Sequence, residues 1–160
     1  MKKTVFILLA LSLCFFENPL KALEEPSNLI IKDIKKTNGL EKVVDGMIVH
    51  FHYRGWLYDK NLDVKDFCQA KGKMFDSTLD KGFRSENATV GTEEVEFIFE
   101  KGKNNVIKGW EIGTENMSIG DKRCIVIPPK LAYGSRKIGK VIPPNSTLIF
   151  EIELVKINKK

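Results

Sequence analysis

The sequence predicts an α+β domain: an antiparallel sheet with one short helix packed on a face of it. Three observations point there. Apolar residues alternate in several separate stretches, helical spacing is confined to a single segment, and Gly or Pro turn signals stand between them. Composition agrees. Of 160 residues, 42% are hydrophobic and 29% charged, enough for one domain with a core and unlike a disordered, collagen-like or disulfide-dense chain.

The amino terminus reads as a leader. Lys2 and Lys3 precede an apolar run from Val5 to Phe16, followed by Glu17, Asn18 and Pro19. That is the order of a secretory signal peptide, and the run is short for a bilayer span. Cleavage is expected after Ala22, which makes 1–22 the signal peptide. Cys14 raises lipidation, although Leu13 stands where a small residue normally precedes a lipid-bearing Cys. The expected location is the bacterial periplasm; the alternative is a membrane anchor through an uncleaved or lipidated amino terminus. Loss of residues 1–22 takes the formal net charge from +5 to +3, which weakens the case for nucleic acid. Cys68 and Cys124 then remain in an oxidising compartment. Whether they pair or stay separate is open, because spacing does not show that their Cβ atoms meet.

Residues 23–40 form a short polar lead, with Leu29 to Ile31 as a first edge strand and a turn at Asn38-Gly39. The main domain is expected over 41–158. From Met47 the chain alternates, with Val49, Phe51 and Tyr53 on one face and Ile48, His50 and His52 on the other, as in a half-buried strand. Further strands are expected at Val95–Glu100, Lys122–Ile127 and Thr147–Ile157, the second of them ended by Pro128-Pro129. Helical spacing is confined to Val106–Asn116, where Ile107 and Trp110 share a side before Gly120. Residues 58–74 and 78–96 read as two long polar surface loops, a length usually reserved for functional or mobile segments.

Aromatic and apolar residues gather beside the turn signals. Tyr53, Phe75 next to Asp76, Phe97, Phe99, Val106, Ile107, Trp110, Tyr133, Ile142 and Phe150 suggest a pocket lined with rings. His50 and His52 share a strand face, but a solvent-facing pair is the ordinary reading, and no metal or cofactor is expected. Lys130, Arg136, Lys137 and Lys140 make a basic segment, solvated or peptide-steering rather than nucleic-acid binding, since no aromatic–basic interleaving accompanies it. Three Asn-X-Ser/Thr triplets begin at Asn87, Asn116 and Asn145, and all three are expected to stay unmodified.

Six blocks then occur in order: FHYRG at 51–55, MFDS at 74–77, VIKGWEIG at 106–113, MSIGDKR at 117–123, IPPKLAYG at 127–134 and IPPNSTLIFEIEL at 142–154. Together they resemble the FKBP-type peptidyl-prolyl cis-trans isomerases, the family bound by macrolide immunosuppressants. The resemblance implies an antiparallel sheet curled around a short helix, with a pocket between them. It implies Trp110 as the pocket floor, Tyr53, Phe75, Phe97 and Phe150 as walls, and Val106 and Ile107 at the rim. Tyr133 and Ile142 would come from the flap after Pro128, and Asp76 would be the one carboxylate at the pocket edge. Tyr53, Asp76, Ile107, Trp110 and Tyr133 would act on the substrate; Phe75, Phe97, Phe99, Val106, Ile142 and Phe150 would bind it. The implied activity is isomerisation of X–Pro bonds in exported proteins without covalent catalysis; the alternative is a holdase that uses the pocket with little turnover. Implied partners are proline-containing proteins and macrolide ligands, with a monomer as the expected state. Lys101, where relatives carry an apolar residue, and Ile138, where the best-known relatives carry His, depart from the pattern.

Overall fold

A computed structural model describes residues 23–80, 82 and 95–159. The leader expected at 1–22 and most of the loop expected at 78–96 lie outside the described residues. The architecture is a six-stranded antiparallel sheet in the order β1-β5-β6-β2-β3, with β4 paired to β2 off that path. The strands are β1 (Ile30–Lys35), β2 (Ile48–Tyr58), β3 (Lys71–Ser77), β4 (Phe97–Glu100), β5 (Lys122–Ile127) and β6 (Leu148–Asn158), and α1 spans Lys108–Gly113.

The two long strands organise the rest. β2 lies along β6 through its whole length, while its first half pairs with β4 and its second half with β3. The period of two then sorts side chains between two cores. Val49, Phe51, Ile125, Ile127, Leu148, Phe150, Ile152 and Leu154 face α1 and form the main core with Trp110 and Met117. α1 lies close on β5 because two glycines face it. A Cβ on Gly109 would come within 2.4 Å of Ile127 Cγ2, and one on Gly113 within 2.9 Å of Ile125 Cγ2. The helix is shorter than its apolar spacing suggests. The Thr114 hydroxyl donates to the Trp110 carbonyl at 2.8 Å and Asn116 turns to φ 59°, which ends the helical run.

The segment expected as a loop at 58–74 is largely structured. After a helical turn at Phe67–Gln69, whose Cys68 N–H donates to Asp66 Oδ1 at 2.8 Å, the chain enters β3. Two lysines, Gly72 and the register shifts against β2 hide the alternation of β3 in the sequence. On the outer face of the sheet, Lys71 pairs with Glu151 of β6 and lies 4.5 Å from the Trp56 ring centroid. The preceding turn folds over that face. Cys68, Ala70, Cys124, Val126 and Ile149 form a second apolar cluster, flanked by Trp56, Val64 and Phe67. Within it Cys68 and Cys124 are disulfide-bonded, with Cα atoms 6.2 Å apart. Of the two arrangements left open by spacing, the paired one is formed.

His50 departs from the solvent-facing expectation. It is 7% exposed, enclosed where β4 and β6 flank β2. Its Nδ1 lies 2.6 Å from Glu96 Oε2 and its Nε2 lies 3.0 Å from Asn158 Nδ2. Both ring nitrogens are thereby placed against polar side chains. No group of three or more His, Cys, Asp or Glu among the described residues is arranged to hold a metal ion.

The disulfide closes a long loop, with a sequence separation of 56 residues. Cys68→Ala/Cys124→Ala is expected to lose about 2–4 kcal/mol of unfolding free energy. Urea unfolding of the oxidised protein and of the variant measures it; coincident midpoints would show that the staple contributes nothing.

Candidate active site

The concave face of the sheet and α1 enclose a cavity of about 580 Å3. Tyr53 and Phe150 reach it from β2 and β6, Phe75 and Asp76 from β3, and Phe97 from β4. Val106, Ile107 and Trp110 reach it from the entry and first turn of α1, and Tyr133 from the flap. Trp110, 3% exposed, is the floor. Edge-to-face rings surround its indole: Phe97 at 5.1 Å, Tyr53 and Phe150 at 5.4 Å, and Phe51 at 5.6 Å between centroids. Such pairs prefer this crossed arrangement because ring faces are negative and ring edges positive. Gly55 is the clearance that allows it, since a Cβ there would meet Phe75 Cζ at 2.8 Å and Phe150 Cε1 at 2.9 Å.

Two residues expected in the pocket stand behind it. Phe99 is 6% exposed, stacked on Phe51 at 5.8 Å and edge-on to Trp110 at 6.1 Å. Ile142 is 4% exposed and pairs with Ile138 in the flap through N–H to carbonyl bonds of 3.0 and 3.2 Å. Both support the wall without lining it. Ile138 is half-buried against the same core, an apolar role that an isoleucine suits.

Two tyrosine hydroxyls and one carboxylate reach the cavity beside the rings. The Tyr53 hydroxyl donates to Asp76 Oδ2 at 2.5 Å, and the Ser77 N–H donates to Asp76 Oδ1 at 2.9 Å. Burial first, then the bond to Asp76, pushes the Tyr53 hydroxyl far above the ordinary phenol range. Burial and the nearby Asp76 charge also raise Tyr133, against a smaller opposing effect of Arg136. Both hydroxyls therefore remain protonated donors through the neutral range. The Tyr133 hydroxyl has no hydrogen-bond partner among the described residues, and Tyr133 lines the cavity. The Ile107 N–H, just ahead of α1, likewise donates to no backbone acceptor among them.

Seven further residues shape the site without having been named as site residues. Asn104, Asn105, Lys108, Ala132 and Arg136 line it, and Glu111 and Lys101 hold the turn before α1. Glu111, 4% exposed, accepts the Gly102 N–H at 3.0 Å and the Asn104 N–H at 2.9 Å. Lys101 Nζ lies 3.7 Å from Glu111 and 3.0 Å from Asp45. The departure at Lys101 is thus a buried cation with two carboxylates, which only their meeting in space makes intelligible. The one available sequence signal was an acid in the first turn of a helix, which is common and unspecific.

The model of the FKBP-type peptidyl-prolyl cis-trans isomerase family matches residues 39–155. The chain belongs to that family. It is 42% identical over 110 residues to FK506-binding protein 1 of Aspergillus oryzae, covering 69% of this chain and 82% of the relative. Against an FK506-binding protein of Neisseria meningitidis serogroup C it is 38% identical over 130 residues, 81% of this chain and 96% of the other. FK506-binding protein 2B of Rhizopus delemar is 36% identical over 156 residues, 95% of this chain and 64% of that protein. The sheet curled on a short helix is the fold that the resemblance implies, and the activity of this isomerase is cis-trans interconversion of peptidyl-prolyl bonds.

Glu111 offers a test of how the turn before α1 is held. Glu111→Ala leaves Lys101 with only its more exposed partner and is expected to cost about 3 kcal/mol. Faster hydrogen exchange at the Gly102 and Asn104 amides should accompany the loss, and unchanged exchange there would refute the assignment.

Proposed function

We propose that the aromatic cavity over Trp110 is where the X–Pro bond turns, in proteins exported from the cytoplasm. Twisting the bond costs about 18–20 kcal/mol because amide resonance is lost, and no covalent bond has to form or break. The twisted amide is less dipolar than the planar one, so water favours the ground state more. Rings that strip water from the carbonyl therefore lower the barrier. Each tenfold in rate requires about 1.4 kcal/mol.

The observation that carries this reading is the combination of a ring-lined cavity with two donors that have no acceptor among the described residues. Prolyl ring and preceding residue would lie over Trp110 between Tyr53, Phe97 and Phe150. The Ile107 N–H and the Tyr133 hydroxyl would each donate to a substrate carbonyl and hold it while the other half of the amide rotates. Asp76, engaged by Tyr53 and the Ser77 N–H, would orient the Tyr53 ring rather than accept a proton. Lys101 and Glu111 act behind this site as positioning residues for the turn carrying Val106 and Ile107. FK506, named in the curated relatives, would occupy the same cavity.

Export is supported by the basic–apolar–polar order of residues 1–22 and by a disulfide suited to an oxidising compartment. A periplasmic monomer acting during folding after translocation is the resulting proposal.

Exchange NMR on X–Pro peptides with the mature protein tests the reading. Tyr133→Phe is expected to lower kcat/KM about two- to tenfold, the loss of one hydrogen bond. Trp110→Ala should remove measurable activity and lower stability by about 3–5 kcal/mol. If Trp110→Ala left turnover and FK506 affinity untouched, the pocket assignment would be wrong. Retained peptide binding without acceleration would instead make the domain a binding module.

A further inference from the structure

Among the described residues, the exposed charged side chains that line the cavity are cationic. Lys108, the first residue of α1, and Arg136, three residues beyond Tyr133 in the flap, both line it, and both are exposed. Neither has an ion-pair partner among the described residues. Among the described residues Arg136 makes hydrogen bonds only through its own N–H and its Nε to the Tyr133 carbonyl, the latter at 3.4 Å. Lys137 and Lys140 follow on the same flap, exposed and equally unpaired among the described residues. Among the described residues Asp76 is the sole acidic one lining the cavity, and both of its oxygens already accept hydrogen bonds from the protein. Asn104 and Asn105, also exposed at the lining, add amide donors.

From this we infer that the isomerase selects X–Pro sites flanked by acidic residues, with Lys108 and Arg136 as the specificity-determining pair. The inference rests on the isomerase reading of the same cavity and names the substrate class that its rim favours. The apolar floor accepts the proline and is indifferent to charge. A carboxylate one residue outside the X–Pro dipeptide would come to the rim, where the two cations stand on different elements and bracket the bound chain from α1 and from the flap. An ammonium in the same place meets repulsion, so the rim works by rejection as well as attraction. Both cations are solvated, so the effect is moderate and sensitive to salt.

The experiment measures kcat/KM by exchange NMR for peptides with Glu, Gln or Lys on each side of one X–Pro dipeptide. Glu peptides should exceed Lys peptides by about three- to tenfold at low ionic strength, as two exposed ion pairs allow, with Gln between. The gap should collapse in about 1 M NaCl, where the Debye length is about 3 Å. In Lys108→Glu/Arg136→Glu the order should invert. Equal turnover of all three peptides by the unaltered protein would overturn the inference while leaving the isomerase intact. An acidic preference that survives the double reversal would overturn the assignment to Lys108 and Arg136. Failure to accelerate any peptide would instead remove the isomerase reading on which the inference stands.

Discussion

The seating of Trp110 in the concave face of the sheet is the constraint on which the rest of this structure depends. Its indole meets Phe51, Tyr53, Phe97, Phe99 and Phe150, so strands β2, β4 and β6 are all positioned by one side chain. The contact exists only because the helix can come close. Gly109 and Gly113 face Ile127 and Ile125 with no room for a Cβ, and Gly55 leaves room for the Phe75 and Phe150 rings. The same geometry makes the core and the cavity one object. The lower ring edges are packed and the upper surface is left open to a ligand.

A cavity of this kind needs polar groups that stay in place without attracting water. Tyr53 and Asp76 satisfy each other, which keeps the phenol protonated and the carboxylate directed. Glu111 does the same for the turn before α1, taking two backbone N–H groups that would otherwise be unpaired near an apolar wall. Among the described residues the Tyr133 hydroxyl and the Ile107 N–H are left without an acceptor beside the rings. A reaction that needs only a twist of an amide is suited to this arrangement of fixed dipoles.

The outer face of the sheet is built by a different device. There the 59–70 segment supplies a small apolar cluster and a disulfide to β5, while Lys71 spans Trp56 and Glu151. A single-layer sheet with one short helix would leave this face to solvent. Covering it adds burial on the side opposite the cavity, so the wall that carries the rings is held from behind.

The sequence alone places the alternating strands around Val49 and Leu148, because a half-buried sheet imposes a period of two that survives in single residues, whereas Cys124 to Ile127 is apolar on both faces and is bounded by Pro128-Pro129. It also determined the aromatic set of the cavity and, through six ordered blocks, the family. β3 was not legible, since an edge strand with lysines facing outward loses the apolar half of the pattern. The pairing of Cys68 with Cys124, the enclosure of His50 by Glu96 and Asn158, and the meeting of Lys101 with Glu111 were decided by tertiary structure. So was the retreat of Phe99 and Ile142 behind the wall. The physical reason is common to all of these: periodicity reports which face of its own element a residue occupies. Which groups then share that face depends on contacts between segments far apart in the chain, and no local pattern records them.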